Sequence, residues 1–236
     1  MILLSIIVPV FNEENSIDFL LKKLLKLDLT KVGFKYEIIV INDGSTDKTL
    51  EILKNFSQIK ILNQSNMGKG NAVQNGIKHA SGEYILIQDG DLEYEPLDII
   101  KMCLCIKQNV KITVYGSRYK PFYLGIIPKY YSGQNFSSYF ANILFIILFY
   151  LLYQKFISDP LTGYKLYKRS FFTNFNIKSK GFEADHEISA KLIKNKYQII
   201  EVPISYYPRT KNEGKKINFF DAIKAIITII KYRFKN

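Results

Sequence analysis

The chain has 236 residues, of which 47% are hydrophobic and 23% are charged, so its composition excludes a disordered protein. Its formal net charge of +12 favours partners that carry negative charge, although charge alone does not choose among nucleic acid, anionic lipid and phosphorylated ligands. Cys103 and Cys105 are separated by one residue. This spacing fits neither a redox motif nor a zinc site, so we expect a reducing compartment and no disulfide.

Strands and helices are predicted to alternate along the first half of the chain. An apolar run at Ser5–Val10 predicts the first strand, and leucines at helical spacing from Ile17 to Leu27 predict the first helix. Met1 to Val10 lacks the basic leader of a signal peptide, which favours a buried strand. Further strands are predicted at Glu37–Ile41, Ile59–Leu62, Tyr84–Gln88 and Lys111–Tyr115, with helices at Asp47–Phe56, Asn71–Ala80 and Leu97–Lys107.

These strands are apolar on both faces, which is typical of a mainly parallel sheet with helices on each side. Three polar turns follow strands, at residues 11–14, 42–47 and 89–93. Ligands of such sheets bind beyond the carboxyl ends of the strands. We therefore expect the three turns to meet at one edge and to form the functional site.

Asp89-Gly90-Asp91 is the sharpest chemical feature. Two carboxylates two residues apart, after a buried strand, can bind one divalent cation such as Mg²⁺ or Mn²⁺, and Glu93 can add a third oxygen. Such a cation neutralises the negative charge of a phosphate leaving group. Taken alone, the motif also fits an acidic surface turn.

Several segments, in this order, resemble the family-2 glycosyltransferases of GT-A fold and, within them, the dolichol-phosphate mannose synthase group of polyprenyl-phosphate sugar synthases. The resemblance runs from Ser5 to about Ile217. It is carried by Val8–Glu14, Val40–Asp47, Gln88–Asp91, Gly116–Arg118, Ser158–Lys165, Gly181–Glu183 and Glu201–Thr210.

The resemblance implies one α/β domain of GT-A fold, a Rossmann-like and mainly parallel sheet flanked by helices. Residues 5–118 would form the nucleotide-sugar half. Residues 119–217 would form the acceptor half with a closing loop, and residues 218–236 a basic amphipathic tail. The implied reaction is an inverting transfer of one sugar from a UDP- or GDP-linked donor to a membrane polyprenyl phosphate.

The resemblance also assigns roles to single residues. It places the nucleoside beside Pro9, Phe11 and Glu13, and the base and ribose against Ile41 and Asp43. Asp89, Gly90 and Asp91 would bind the donor diphosphate through a divalent cation held by Asp89 and Asp91, with Glu93 as a further ligand. Arg118 would contact phosphate, and Arg209 and Lys215 would close over the donor. The expected catalytic residues are Asp89, Asp91, Arg118 and Arg209.

The acceptor decides whether the reaction needs a general base. A hydroxyl acceptor needs one, and Asp159 and Asp185 are the candidates. A lipid phosphate needs none, because a monoester with a second pKa of about 6 is already an anion at neutral pH. The acceptor-side candidates are Lys129, Ser138 and Asp159. The chain contains no tryptophan, so the QxxRW motif of processive family members is missing and a single transfer is favoured.

Tyr139–Tyr153 is almost continuously apolar. At about 1.5 Å per residue it is too short to cross a hydrocarbon core of about 30 Å. It is therefore predicted either as a core helix or as a helix lying in a membrane interface, with Phe145 and Phe149 facing the lipid. The amphipathic tail Phe219–Phe234 would lie beside it, which places the protein peripherally on the cytoplasmic face of a membrane.

Two other functions are consistent with the sequence. One is a peripheral glycosyltransferase that acts on a glycan or lipid hydroxyl in cell-surface polysaccharide synthesis. The other is a non-catalytic nucleotide-sugar sensor, against which the intact set of Asp89, Asp91, Arg118 and Arg209 argues. No nucleic-acid partner is expected, because no motif organises the aromatic and basic residues for that role.

Overall fold

The structure is a computed structural model that describes residues 1–106, 111–120, 136–209 and 219–235, without the side chains of residues 136 and 137. Seven strands of the described residues form one sheet in the order β3-β2-β1-β4-β6-β5-β7. Their bounds are β1 Ile2–Val10, β2 Phe34–Asp43, β3 Lys60–Gln64, β4 Tyr84–Ile87, β5 Ile112–Ser117, β6 Lys165–Lys168 and β7 Gln198–Pro203.

The helices lie mostly between the strands in sequence. Within the described ranges they are α1 Ile17–Leu25, α2 Thr49–Leu53, α3 Lys69–Lys78, α4 Asp98–Leu104, α5 Phe136–Tyr153, α6 Ser170–Asn174, α7 Ala184–Lys194 and α8 Phe219–Phe234, with a 3₁₀ turn at Thr30–Val32. The five strands and four helices predicted in the first half are present, with ends shifted by a few residues. A helix also covers each of the predicted apolar segments at 139–153 and 219–234.

The sheet is mainly parallel, as predicted. β1 lies between β2 and β4 and pairs with both in parallel register, while β5 pairs in parallel with β7. β6 is antiparallel to both β4 and β5 and joins the two parallel halves. Neither β6 nor β7 was predicted from the sequence. β6 has only four residues, and two of them are lysines.

The two faces of the sheet pack against different helices. On one face, Leu4, Ile6 and Val8 belong to the same buried cluster as the leucines of α1. On the other face, Ile7 packs with Ile39 and Ala72 under α3. Because both faces of β1 are buried, its apolar run is continuous and does not alternate.

Helix α5 lies with one face in the protein and the other exposed. Phe145 and Phe149 are 2% and 0% exposed and belong to a buried cluster with Ile229 of α8. The interpretation of these two phenylalanines as membrane-facing is therefore wrong. The opposite face of α5 is exposed through Phe140, Leu144, Ile147 and Leu151, at helical spacing. Over the described residues, no helix combines the length and the hydropathy needed to cross a membrane.

Candidate active site

The turns after β1 and β2 are joined by hydrogen bonds, which confirms that they meet at one edge of the sheet. The Thr46 amide donates to Asn12 Oδ1 at 2.8 Å, and the Glu13 amide donates to Thr49 Oγ1 at 2.8 Å. Asn12 has a positive φ of 52°, a conformation that asparagine tolerates better than most residues. The two turns thus form a rigid rim beside the ends of the parallel strands.

The Asp89-Gly90-Asp91 turn follows β4 and packs against the end of β1. A Cβ at Gly90 would lie 2.6 Å from Val10 Cγ1 and 3.1 Å from the Pro9 carbonyl, so only glycine allows this close approach. Ser16 Oγ lies 3.1 Å from the Gly90 carbonyl oxygen and 2.8 Å from Glu13 Oε2, so it links the turn to the start of α1. Both aspartates therefore line a cavity of about 490 Å³ at the strand ends.

Lys69 links two carboxylates inside this cavity. Its Nζ is 2.6 Å from Asp89 Oδ1 and 3.7 Å from Asp185 Oδ2. Burial alone would lower the pKa of Lys69, but the charges of Asp89 and Asp185 raise it above its ordinary value. Lys69 is therefore a fixed cation next to the aspartate motif. Lys69 was not among the site residues predicted from the sequence.

Arg209 reaches the site from a segment that is distant in sequence. Its Nη2 is 2.7 Å from Asp91 Oδ2, and its Nη1 is 3.0 Å from Glu13 Oε2. Burial and the negative charges of Asp89 and Glu93 raise the pKa of Asp91, although Arg209 acts in the opposite direction. Carboxylates outnumber cations among the described residues that line the cavity, so a further positive charge would be stabilised there.

Glu93 was expected to add a third carboxylate to the metal site, but it is bound to other residues instead. Its Oε2 accepts a hydrogen bond from the Tyr206 hydroxyl at 3.0 Å, and its Oε1 accepts one from the Arg209 amide at 2.9 Å. Within the described ranges, no three His, Cys, Asp or Glu side chains are grouped as a metal-binding cluster. Glu93 instead fastens the segment that carries Arg209 to the aspartate turn.

The two aspartates themselves still fit a divalent cation. A Cβ at Gly163 would lie 2.8 Å from Asp89 Oδ2, so the missing side chain leaves space beside that oxygen. Two hard oxygen donors that share one cation with substrate phosphates are a common arrangement for Mg²⁺. The residues present therefore suit a cation bound by Asp89, Asp91 and the phosphates of a ligand.

Arg118 is oriented by Asp159, which is completely buried. Arg118 Nε and Nη2 donate to Asp159 Oδ2 and Oδ1, both at 2.7 Å, and the Arg118 amide donates to Oδ2 at 2.9 Å. Both oxygens of Asp159 are thus bound to Arg118. The expectation that Asp159 serves as a general base or contacts the acceptor is therefore wrong. Arg118 itself lines the cavity, and its guanidinium lies 4.9 Å from the ring centroid of Tyr206.

Ile41 does not lie where it was expected, and Asp43 has partners within the protein in addition to lining the cavity. Ile41 is 0% exposed and packs under α3 with Ile7 and Ala72, so it does not line the cavity. Asp43 does line it, but its Oδ1 accepts from the Met67 amide and its Oδ2 from the Gly68 amide, both at 2.9 Å. Asp43 thereby fixes the loop that begins α3 and places Lys69.

The cavity gathers most of the residues that the sequence analysis named. Lys129 and Lys215 lie outside the described residues. The named residues that line the cavity are Pro9, Phe11, Glu13, Asp43, Asp89, Gly90, Asp91, Glu93, Arg118, Ser138, Asp185 and Arg209. Residues that line it and were not named as site residues include Lys69, Tyr94, Gly163, Phe182 and Tyr206.

Helices α5 and α8 contribute to the lining of the cavity. Ser138, Ala141 and Phe145 of α5 line it, together with Ala222 and Ala225 of α8. The two helices are joined by a hydrogen bond of 2.8 Å from the Tyr153 hydroxyl to the Ile229 carbonyl. On their outer faces both helices expose apolar side chains: Tyr139, Phe140, Leu144, Ile147, Tyr150 and Leu151 on α5, and Phe219, Phe220, Ile223, Ile227, Ile230 and Phe234 on α8.

The sequence matches the family model described as glycosyl transferase family 2 over residues 5–175. An uncharacterized protein of Methanocaldococcus jannaschii is 30% identical over 240 residues, covering 95% of this chain and 97% of the relative. Dolichyl-phosphate beta-glucosyltransferase of Saccharomyces cerevisiae is 30% identical, covering 94% and 72%. Dolichol-phosphate mannosyltransferase of Pyrococcus furiosus is 28% identical, covering 97% of this chain and 64% of that longer protein.

Solved structures show the same fold. Glucosyl-3-phosphoglycerate synthase of Mycobacterium tuberculosis, in complex with UDP, aligns with a TM-score of 0.74 at 17% identity, covering 98% of this chain and 80% of that chain. The same enzyme with Mn²⁺, UDP-glucose and phosphoglyceric acid also aligns with a TM-score of 0.74, again at 17% identity and with the same coverage. The GT-A fold is thereby confirmed. With the match over residues 5–175, this shows that the chain belongs to glycosyltransferase family 2 and is a glycosyltransferase.

Proposed function

We propose that this glycosyltransferase moves one sugar, with inversion, from a UDP- or GDP-linked donor to a polyprenyl phosphate at a membrane surface. The observation that carries the proposal is the lining of the cavity. The aspartate turn, Arg118 and the helices α5 and α8 all line this one cavity, and the two helices also have exposed apolar faces. The dolichyl-phosphate relatives support the same acceptor class.

The donor would occupy the acidic end of the cavity. Pro9, Phe11 and Glu13 line the part beside the end of β1 and would hold the nucleoside. Asp89 and Asp91 would hold a divalent cation together with the donor diphosphate. When bound, such a cation supplies charge neutralisation for the diphosphate as its bond to the sugar breaks.

Lys69 and Arg209 would turn from carboxylates to phosphates when the donor binds. Both cations are paired with Asp89 and Asp91 in this structure. Lys69 and Arg209 would then donate charge-assisted hydrogen bonds to the diphosphate, and such bonds are strong. Asp185 lies beside Lys69 in the cavity and would face the transferred sugar.

Arg118 would bind the acceptor phosphate. It lines the cavity beyond the aspartate turn and is held rigidly by Asp159. A phosphate monoester is already an anion at neutral pH, so its oxygen can attack the sugar without a general base. This matches the place of Asp159, which serves Arg118 and is closed to the cavity.

The exposed faces of α5 and α8 would lie on the membrane. Each CH₂ of a polyprenyl chain exposed to water costs about 0.8 kcal/mol, so the enzyme must approach the lipid. The exposed cations Lys224, Lys231, Arg233 and Lys235 surround the apolar stripe of α8. Each adds about 1 kcal/mol near anionic headgroups, which favours the cytoplasmic face.

A donor and acceptor panel tests the proposed function. The purified protein is incubated with UDP- and GDP-sugars and Mn²⁺, with and without polyprenyl phosphate in vesicles. We expect a sugar-lipid product with one donor and no product after EDTA treatment. Transfer only to sugar hydroxyls would contradict the acceptor and support the hydroxyl-directed alternative, in which Asp185 is the base in the cavity. Absence of both transfer and donor hydrolysis would support the sensor.

A second experiment tests the membrane surface. Leu144→Glu with Ile147→Glu places charge on the exposed face of α5 without entering its core. We expect this protein to stay folded and to lose sedimentation with anionic vesicles. Phe19→Glu is the matched control, because Phe19 is 61% exposed on α1, outside the cavity. Equal sedimentation of both variants would contradict the membrane surface.

A further inference from the structure

Asn142 is a buried amide on the inward face of α5. It is 2% exposed, and the next residues on that face, Phe145 and Phe149, are also buried. Its Nδ2 donates to the Ser158 carbonyl at 3.0 Å, whereas its Oδ1 is buried and has no hydrogen-bond partner among the described residues. An amide with one unsatisfied group costs stability at a position where an apolar side chain would fit.

The turn that Asn142 contacts is also held by two strands. Ser158 Oγ is 2.7 Å from Ser117 Oγ at the end of β5. Glu201 of β7 accepts hydrogen bonds from the Ser158 amide at 3.0 Å, from Ser158 Oγ at 2.7 Å and from the Asp159 amide at 3.2 Å. Asn142 is thus the contribution of α5 to a turn that β5 and β7 fix from other sides.

This turn sets the position of Arg118. Asp159 follows Ser158 directly and binds the Arg118 guanidinium through both of its oxygens. Ser117, which contacts Ser158, directly precedes Arg118. A displacement of the turn would therefore move both the backbone next to Arg118 and the carboxylate that binds its guanidinium.

We propose that Asn142 is a positioning residue: by holding the Ser158–Asp159 turn, it couples the placement of helix α5 to the placement of the Arg118 guanidinium in the cavity. The catalytic consequence rests on the proposed function, in which Arg118 binds the acceptor phosphate. The exposed face of α5 would meet the membrane while its inward face aligns Arg118, so one helix would serve both docking and acceptor alignment.

A double-mutant cycle tests the coupling. Asn142→Leu should lower kcat/KM for polyprenyl phosphate by about tenfold in the wild-type background, since small misplacements of a binding group reduce rates strongly. In an Arg118→Ala background the same change should have less than about a twofold effect, because the guanidinium that the turn positions is missing there. The melting temperature should change little, because removal of the unsatisfied amide oxygen offsets the loss of the hydrogen bond to the Ser158 carbonyl. A purely structural Asn142 would instead lose thermal stability and show additive effects.

Phe149→Leu is the matched control on the same face of α5. It should lower the melting temperature and remain additive with Arg118→Ala. If Asn142→Leu does not fold, Glu201→Gln perturbs the same turn from β7 and should show the same lack of additivity. Additive effects in both cycles would overturn the proposal.

The resonance of the Arg118 Nε–H group gives a readout that does not depend on activity. This N–H group donates a hydrogen bond to Asp159 Oδ2, so its proton should exchange slowly with water in the wild type. We expect Asn142→Leu to shift the resonance and to speed its exchange, and Phe149→Leu to leave it unchanged. An unchanged resonance in Asn142→Leu would overturn the positioning role even in an active enzyme. A shifted resonance in a protein without transferase activity would leave the coupling in place and reject the proposed acceptor.

Discussion

Replacing Asp159 with alanine should destabilise the protein strongly. The carboxylate is 0% exposed, and the Arg118 side chain that it binds is only 11% exposed. Removing one partner of a buried ion pair leaves the other charge uncompensated, which typically costs about 3–5 kcal/mol. For a chain of this size, 1 kcal/mol shifts the melting temperature by roughly 2–4 °C. Asp159→Ala should therefore lower it by roughly 6–20 °C.

An exposed pair provides the comparison. Lys22 and Asp18 form an i,i+4 ion pair on α1, with side chains 59% and 33% exposed. Such pairs contribute about 0.3–0.5 kcal/mol, so Asp18→Ala should lower the melting temperature by no more than roughly 2 °C. The two variants remove the same chemical group, and only burial and the geometry of the partner differ.

Calorimetric unfolding of the wild type, Asp159→Ala and Asp18→Ala measures the stability that each ion pair contributes. The double variant Arg118→Met with Asp159→Leu should recover part of the stability lost in Asp159→Ala, because no buried charge is left unpaired. If Asp159→Ala unfolds at the wild-type temperature and loses turnover with hydroxyl acceptors while Arg118→Ala keeps it, Asp159 is a general base after all. That result would refute the assignment made from the structure.

Three further outcomes follow from the geometry. Asp91→Asn should abolish transfer and weaken Mn²⁺ binding, measured by titration calorimetry, while circular dichroism stays native. Phe149→Ala should cost about 3–5 kcal/mol in chemical denaturation, whereas Leu151→Ala, at a position 71% exposed, should change stability by less than about 0.5 kcal/mol. Burial, assisted by the charge of Lys165, lowers the pKa of His186 from 6.5 to about 3. As pH falls, His186 is therefore protonated in the unfolded chain before it is protonated in the folded protein. The stability that neutral His186 contributes is present above pH 6.5 and is lost toward pH 3. Between neutral pH and about pH 5, the free energy of unfolding of the wild type should fall by about 2 kcal/mol more than that of His186→Gln. Chemical denaturation of both proteins at the two pH values measures this difference.

Much of the fold was predictable because its signals are local. The apolar strands of the first half and the polar turns after them indicate the sheet and its functional edge without any tertiary information. The Asp89-Gly90-Asp91 turn was located correctly for the same reason. β6 was missed because Lys165 and Lys168 make its four residues look polar, although Lys165 is completely buried.

The errors at the site have a common physical cause. Ile41 and Asp43 lie on the same face of β2, but Ile41 is two residues farther from the edge and is covered by α3. Asp159 and Glu93 are carboxylates near the cavity whose oxygens are taken by Arg118 and Arg209. Sequence pattern shows which residues follow a strand, but not which partner each carboxylate selects in three dimensions.

The distribution of charge explains how an acidic cavity can receive a polyanionic donor. The chain as a whole carries a formal charge of +12, which would attract the proposed nucleotide-sugar donor from solution. At the cavity, however, Asp89 and Asp91 would repel the donor diphosphate unless positive charge intervenes. Lys69 and Arg209 already neutralise these carboxylates in this structure, and the proposed function places the donor phosphates next to both cations. Without a divalent cation, the two basic residues cannot serve both the carboxylates and the diphosphate. The geometry therefore favours joint binding of cation and donor, with Arg209 changing partner as the two arrive.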